Sequence, residues 1–380
     1  PLGHASAGDV LAALVAIPSV NPAYDPGSPG ENALGDAIVA WGHSLGLETA
    51  SHNVVDGRRN IQLRLRSARP RRTLLIEGHL DTVALVPPLA GAEAVVVEGR
   101  LSGRGACDAK GAIAATLIAI SELVAAPPES TDVVFLGAID EEYIFRGITS
   151  FIAGGDLPDV AVVLEPTGLR IVTEHNGVVR IELGVVGTAA HSSRPEEGHN
   201  AILDALELVR VLTRWTADGN QLAPTDAPRI LAVTTISGGT AINIVPDFCR
   251  VGIDLRIRPR ESAAEVLAEI EALIAAIPGI DARVERVLLT DGGMSTSVSS
   301  DLVLAAQTAA GLHELPVEVV RVPYGTDGSK LSRAGVPTIV FGPGSIRNAH
   351  GDNEWVELRD VDTAARVLRD LVYAYDRAAQ

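Results

Sequence analysis

The sequence predicts an α/β protein of two domains: a mostly parallel, helix-covered sheet interrupted by an inserted ferredoxin-like α+β domain. Three observations carry this. At both ends of the chain, short continuous apolar runs alternate with helical patterns, as buried parallel strands do. Between about Val178 and Leu289 the strands alternate like sheets with one wet face, in the order β-α-β-β-α-β of the split ferredoxin-like unit. The 380 residues also exceed what one ordinary core holds.

In order along the chain, "DVLAALVAI" and "ENALGDAIVAWGHSLGL" repeat apolar residues at helical spacing. "TLLIEGH" (Thr73 to His79) reads as a buried strand. "KGAIAATLIAISELVAA", from Lys110, reads as a helix stopped by Pro127 and Pro128. "DVVFLGAI" and "VAVVLEP" are two further buried strands. The inserted segment opens with the strand "VVRIELGVVG" and the amphipathic helix "AILDALELVRVLTRW". The strands "RILAVTTISGG" and "FCRVGIDLRIRP" follow, then the helix "SAAEVLAEIEALIAAI" and the strand "IDARVERVLL". The chain then returns to buried character with "VPTIVFG" (Val336 to Gly342) and ends on the helix "VDTAARVLRDLVYAYDRA". The predicted domains are therefore 1–177 with 290–380, discontinuous, and 178–289, inserted.

Composition excludes several classes. The formal net charge of -17 argues against nucleic acid or anionic membrane as a partner, because both need basic patches. No apolar run reaches the roughly 18 residues of a membrane span. Two cysteines, Cys107 and Cys249, make no disulfide framework, and a reducing, cytoplasmic compartment is expected. The opening "PLGHASAGDV" has no basic stretch before an apolar core, so no secretory signal is expected.

The chemistry collects where an open α/β sheet places ligands, beyond the carboxyl ends of its strands. After "TLLIEG" come His79 and Asp81. Before the long helix, "GRGACDAKG" carries Asp108. After "VVFLGAI" come Asp140, Glu141 and Glu142, after "VAVVL" comes Glu165, and after "TIVFGPGSIRNA" comes His350. Each signal alone has an ordinary explanation: a hydrogen-bonded histidine, a solvated acidic turn, or an N-cap aspartate. Strand after strand ending in a metal-ligand residue type does not. Two imidazoles with several carboxylates suit zinc or a similar divalent ion. The carboxylates are too many for one tetrahedral ion; two ions bridged by a carboxylate use them all.

The motifs "GHLDTV", "GRGACDAKG", "DEEY", "EPT", "AAHSS" and "NAHGDNEWV", in this order over nearly the whole chain, resemble the di-zinc amidohydrolase and metallopeptidase family of acetylornithine deacetylase, succinyl-diaminopimelate desuccinylase, carboxypeptidase G and aminoacylase. The resemblance implies Asp108 as bridging ligand, His79 and Glu165 completing one zinc site, and Glu142 and His350 the other. It implies two Zn²⁺ per chain, with Co²⁺ or Mn²⁺ as substitutes. It makes Glu141 the general base on a water between the metals, and Asp81 the carboxylate that orients His79. It also implies a cis peptide after Asp108.

For the inserted domain the resemblance implies a lid and dimerisation role. His191 in "AAHSS" would reach the partner subunit's active site and polarise the scissile carbonyl. Asn243 and Arg256 would bind substrate, Arg256 by pairing its guanidinium with the substrate's carboxylate. Gly325 and Thr326 of "YGTDGSKL" would line the pocket. Two departures from the family pattern bear on the substrate. The segment after Asp81, "TVALVPPLAGAEAVVVEG", lacks a tryptophan and an aspartate that many relatives carry, and Asn176 stands where relatives often have lysine. Cys107, beside the bridging aspartate, reads as a small packing residue. The expected activity is zinc-dependent hydrolysis of an N-acyl amino acid, N-acetylornithine first, by a homodimer. A dipeptidase, a carboxypeptidase G-like exopeptidase and a desuccinylase are the alternatives, followed by a silent binding protein and a phosphoester hydrolase.

Overall fold

The computed structural model describes residues 6–84, 94–223 and 227–378, so part of the departing segment after Asp81 lies outside the described residues. The chain divides into two units. The first comprises Pro1–Thr173, Thr296–Val320 and Thr326–Gln380; the second comprises Glu174–Ser295 and Arg321–Gly325. The second unit thus starts a few residues before Val178, ends a few after Leu289, and takes in a short later segment.

The first unit opens with helices α1 (Ala7–Val15) and α2 (Asn32–Ser44). Strands β1 (Glu48–Val55) and β2 (Arg58–Leu65) then form an antiparallel hairpin, followed by β3 (Arg72–His79). A small antiparallel sheet includes β4 (Val95–Val97) and β5 (Arg100–Ser102). Helix α3 (Lys110–Ala125) leads to β6 (Thr131–Ala138), α4 (Arg146–Ala153) and β7 (Val160–Val163). Strand β8 (Val172–His175) carries the chain into the second unit.

That second unit runs β9 (Gly177–Val186), α5 (Ala201–Leu222), β10 (Ile230–Gly238), β11 (Phe248–Ile257), α6 (Ala263–Ala275), β12 (Asp281–Asp291) and β13 (Met294–Ser295). The chain closes with α7 (Asp301–Leu312), β14 (Val320–Val322), α8 (Gly328–Arg333), β15 (Thr338–Val340), β16 (Trp355–Glu357) and α9 (Leu358–Arg377).

The main sheet of the first unit has the order β1-β2-β6-β3-β7-β15-β8. Its centre, β6-β3-β7-β15, is parallel, and the β2–β6 and β15–β8 pairings that flank it are antiparallel. Every residue of β6 and β7 is buried, which is why both read as continuous apolar runs rather than alternating ones. Helices α1, α2, α3, α7 and α9 join this core, with Leu11, Leu34, Ile113, Ala306 and Leu368 among the side chains they bury. The β1–β2 hairpin escaped the periodicity reading because β1 is half exposed, yet the Asp56-Gly57 pair between two strands is a hairpin signal.

The second unit is a four-stranded antiparallel sheet in the order β10-β11-β9-β12, the ferredoxin-like arrangement. One face packs Val179, Ile181, Leu183, Val251, Ile253 and Leu255 with Leu208 and Leu212 of α5 and Ile270 and Ile274 of α6. The residues between them on β9 and β11 point the other way and form a ladder of ion pairs. Arg180 and Arg256 both bind Asp254 at 2.8 Å, and Arg250 binds Glu285 at 3.0 Å.

After β6 the chain turns sharply, and Gly147 makes the turn possible. A Cβ there would lie 2.4 Å from the Ile139 carbonyl oxygen, 2.5 Å from its nitrogen and 2.8 Å from Asn60 Oδ1. Asn60 bonds both sides of the turn, accepting from Ile139 N and donating to Gly147 O. Gly147→Ala is expected to cost about 3 kcal/mol, the upper range for overpacking, because the clash is with backbone. Urea unfolding followed by circular dichroism checks this; a cost below about 1 kcal/mol contradicts it.

Candidate active site

The parallel register sets His79, the last residue of β3, beside Ala138 at the end of β6. Glu141 and Glu142 follow β6, Glu165 follows β7, and Asp108 sits two residues before α3. His350 lies on the segment between β15 and β16. All six belong to the first unit, and the fold brings them together at the carboxyl ends of the parallel strands.

Asp108 is the centre of the cluster. Its Oδ1 is 3.0 Å from His79 Nε2 and its Oδ2 is 3.2 Å from His350 Nε2, one oxygen for each imidazole. His350 Nε2 is also 3.1 Å from Glu142 Oε1. Ligand atoms of His79, Asp108 and Glu142 lie within 4.8 Å of one another, and so do those of His79, Glu141 and Glu165. The Asp108–Ala109 peptide is cis.

Buried like charges dominate the electrostatics. Burial pushes Glu141 and Glu165 well above the usual carboxylate range; Asp327 and Glu142 add to this at Glu141, and Asp108 and Glu141 at Glu165. Burial acts the same way on Asp108, but hydrogen bonds to His350 and His79 outweigh it and hold that carboxyl well below its usual value. Hydrogen bonds to Asp108 and Glu142 hold the His350 imidazolium up to about 10. Burial opposes the charge on His79, yet Asp108, Glu165 and Glu141 together keep its pKa well above the ordinary value. So many buried carboxylates around two imidazoles, one of them offering an oxygen to each, form a donor set that fits two divalent cations.

The three consecutive acids after β6 part company. Asp140 adopts a positive φ of 70° and turns to Arg58, Arg146 and Asn21. Glu141 and Glu142 turn into the cluster. Asn21 Nδ2 donates to both Asp140 Oδ1, at 3.0 Å, and Asp81 Oδ2, at 2.8 Å. The Asp81 carboxylate also accepts from the backbone N–H groups of Glu141 and Glu142, at 3.1 Å each.

At Asp81 the short contact to His79 runs through the main chain. His79 Nδ1 bonds the Asp81 backbone carbonyl at 3.0 Å, while the nearest Asp81 carboxylate oxygen is 3.8 Å away. The carboxylate is committed to the Glu141–Glu142 backbone instead. Sequence reasoning passed over Asn21, Arg58 and Glu354, single polar residues far away in the chain, and Arg146, six residues from Asp140. It also passed over Glu77, a charge inside an apolar strand and therefore visible in principle. Glu77 and Asp327 are both 1% exposed, and burial pushes the pKa of each above the usual carboxylate value.

Thr326, also in the first unit, is fully buried, and its hydroxyl accepts from Gly328 N at 3.0 Å. His191, Asn243, Arg256 and Gly325 belong to the second unit. There His191 and Asn243 come together: His191 bridges to Ile244, and Ser192 N donates to the Asn243 carbonyl at 3.0 Å. His191 Nδ1 is 2.8 Å from Ser193 Oγ. Arg256 lies on the polar face of the sheet, bound to Asp254. Cys107 is buried, its sulfur 3.4 Å from the Ser345 carbonyl oxygen, and it belongs to neither ligand cluster.

A divalent cation held by these residues would displace protons. With its pKa held up to about 10, the His350 imidazole carries a proton at pH 7, and a metal takes the lone pair that proton holds; the pKa of His79 is raised in the same direction. Titrating Zn²⁺ into chelator-stripped protein in buffers of different ionisation enthalpy is expected to show release of about one proton or more per chain. The His350 share disappears above pH about 10. Zinc uptake at pH 7 with no proton release would exclude His350 as a ligand.

Residues 75–374 match the model of peptidase family M20/M25/M40. The acetylornithine deacetylase of Myxococcus xanthus is 31% identical over 314 residues, 80% of this chain and 80% of that protein. A putative succinyl-diaminopimelate desuccinylase of Mycobacterium tuberculosis is 28% identical over 368 residues, covering 95% and 96%. A tripeptidase from Staphylococcus aureus shares the fold with a TM-score of 0.82 at 20% identity, over 98% of both chains. The chain belongs to peptidase family M20/M25/M40, hydrolases of amide bonds.

Proposed function

We propose that the protein hydrolyses the amide bond of an N-acyl amino acid, with Glu141 as general base and two Zn²⁺ as cofactors. One observation carries the reading: Glu141 is a half-buried carboxylate within 4.8 Å of the ligand atoms of His79 and Glu165, next in sequence to Glu142 of the adjoining cluster. The family is one of dinuclear metal enzymes, which supports the cofactor. His79, Glu165 and Asp108 would hold one ion, and Asp108, Glu142 and His350 the other. When bound, the two ions supply a lowered water pKa and polarisation of the scissile carbonyl.

The chain's own residues do the rest. The Glu141 carboxylate takes a proton from the attacking water and later delivers it to the leaving amine nitrogen. Burial raises its pKa above the ordinary carboxylate value, which makes it a stronger base than a free carboxylate. Asp81 holds the backbone that places Glu141, through the two N–H bonds described above. Arg256 receives the substrate carboxylate in a planar fork, exchanging its bond to Asp254 for the ligand. Asn243, Gly325 and Thr326 complete the substrate contacts, and His191 donates to the developing oxyanion.

N-acetylornithine is the first substrate to test, in line with the deacetylase relative of Myxococcus xanthus. The desuccinylase relative, which spans nearly the whole chain, favours N-succinyl-diaminopimelate as the second. Dipeptides follow. A homodimer through the second unit, the arrangement in which His191 serves a partner's site, is supported by β10. This edge strand is exposed along nearly all its length, with Val233 and Ile236 on it and Ile242 just beyond.

Amine release from a panel of N-acyl amino acids and dipeptides, with a chelator control, tests the reaction. Chelator-sensitive release from one class is the expected outcome, and no release from zinc-loaded protein would overturn the reading. Glu141→Gln should lower kcat about 10³-fold while zinc stays bound. Wild-type turnover in that variant removes Glu141 from the role. A solution mass of one chain in fully active enzyme would refute the dimer.

A further inference from the structure

The loop Gly103–Ala109 presents Asp108 to two imidazoles at once, and it is neither helix nor strand. Glu354, from far along the sequence, holds it at four points. Glu354 Oε1 accepts from the backbone N–H groups of both Cys107, at 2.9 Å, and Asp108, at 3.0 Å. Its Oε2 accepts from Arg104 Nη1 at 2.7 Å, and its backbone carbonyl accepts from Gly103 N at 3.0 Å. All four bonds go to the one loop. Glu354 is 4% exposed and Arg104 7%, so the clamp is shielded from water.

Glu354 is itself anchored. It directly precedes β16, where Trp355 pairs with Ser102 and Val356 with Leu101 on β5, just before the clamped loop. It also follows His350 by four residues. One carboxylate therefore ties the segment carrying His350 to the loop carrying Asp108, 246 residues away from it.

The geometry points to Glu354 as a positioning residue for the metal centre: by binding the Cys107 and Asp108 N–H groups it fixes the Asp108 carboxylate so that each oxygen meets one histidine. This rests on the metal reading above. Glu354 is not a ligand, since both its oxygens are taken and it stands in neither ligand cluster. Nor does it act by charge on Asp108, because a second carboxylate nearby opposes ionisation. Its effect is geometric, and outer partners of metal ligands typically hold 10- to 100-fold in metal affinity.

The test is Zn²⁺ affinity by competition with a chromophoric chelator, alongside the Tm of chelator-stripped protein. Glu354→Ala is expected to weaken zinc binding about 10- to 100-fold. Glu354→Gln keeps an oxygen for the two N–H groups and should stay within about 5-fold of wild type. Arg104→Met breaks the ion pair but leaves the N–H clamp, and should bind zinc nearly as wild type does. Glu354→Ala binding zinc as tightly as wild type, whatever its Tm, overturns the proposal. If that variant fails to fold, the other two decide: a loss in Arg104→Met with none in Glu354→Gln assigns the effect to the ion pair and overturns it equally. A wild-type chain that takes up no zinc overturns the metal reading itself, a result distinct from tight wild-type binding that Glu354→Ala leaves unchanged.

Discussion

Everything in the first unit is arranged around the mutual repulsion of buried carboxylates. Asp81, Asp108 and Glu165 are buried and Glu141 and Glu142 half-buried at one end of the sheet, so water screens them poorly. Such a cluster persists in a fold only where positive charge and oriented N–H groups face it. Two imidazoles meet the oxygens of Asp108, and backbone N–H groups meet Asp81. Arg58 and Arg146 draw off Asp140. The donor set that remains fits divalent cations, in keeping with the hydrolase family to which the chain belongs.

The parallel sheet provides the rigidity this needs. Four adjacent parallel strands end together, so residues from separate stretches of chain meet without long loops. Buried on both faces, these strands leave their ends little freedom, and ligands on rigid elements keep their geometry. Asp81 and Glu354 extend this order into the connecting loops. Each accepts two consecutive backbone N–H groups, from Glu141–Glu142 and from Cys107–Asp108. The same device thus appears twice, once beside the proposed base and once beside the proposed bridging ligand.

The second unit divides its labour by face. One side of its sheet buries aliphatic residues under two helices, while the other carries alternating arginine and acid pairs. Arg256 sits in that ladder, where its partner Asp254 holds the guanidinium in place and an anionic group can compete for it. Surface pairs of this kind contribute little stability, about 0–1 kcal/mol, so exchanging one for a ligand costs little.

Much of this protein was determined by its sequence alone. The alternating apolar runs, the inserted β-α-β-β-α-β order, and the histidines and acids at strand ends are local patterns of period and position, and each survives in a linear reading. The β1–β2 hairpin was legible through Asp56-Gly57 although periodicity passed over it. Tertiary structure alone decided which of three adjacent acids enters the site. Asp140 turns away because Asn21 and Arg58, 119 and 82 residues distant, are waiting for it. It alone also decided that His79 leans on a backbone carbonyl rather than on the Asp81 carboxylate, and that Glu354 clamps the Asp108 loop. The physical reason is the same in each case. The direction of a polar side chain after a strand end is set by hydrogen-bond partners that only the folded chain brings within 3 Å, and no period in the sequence encodes them.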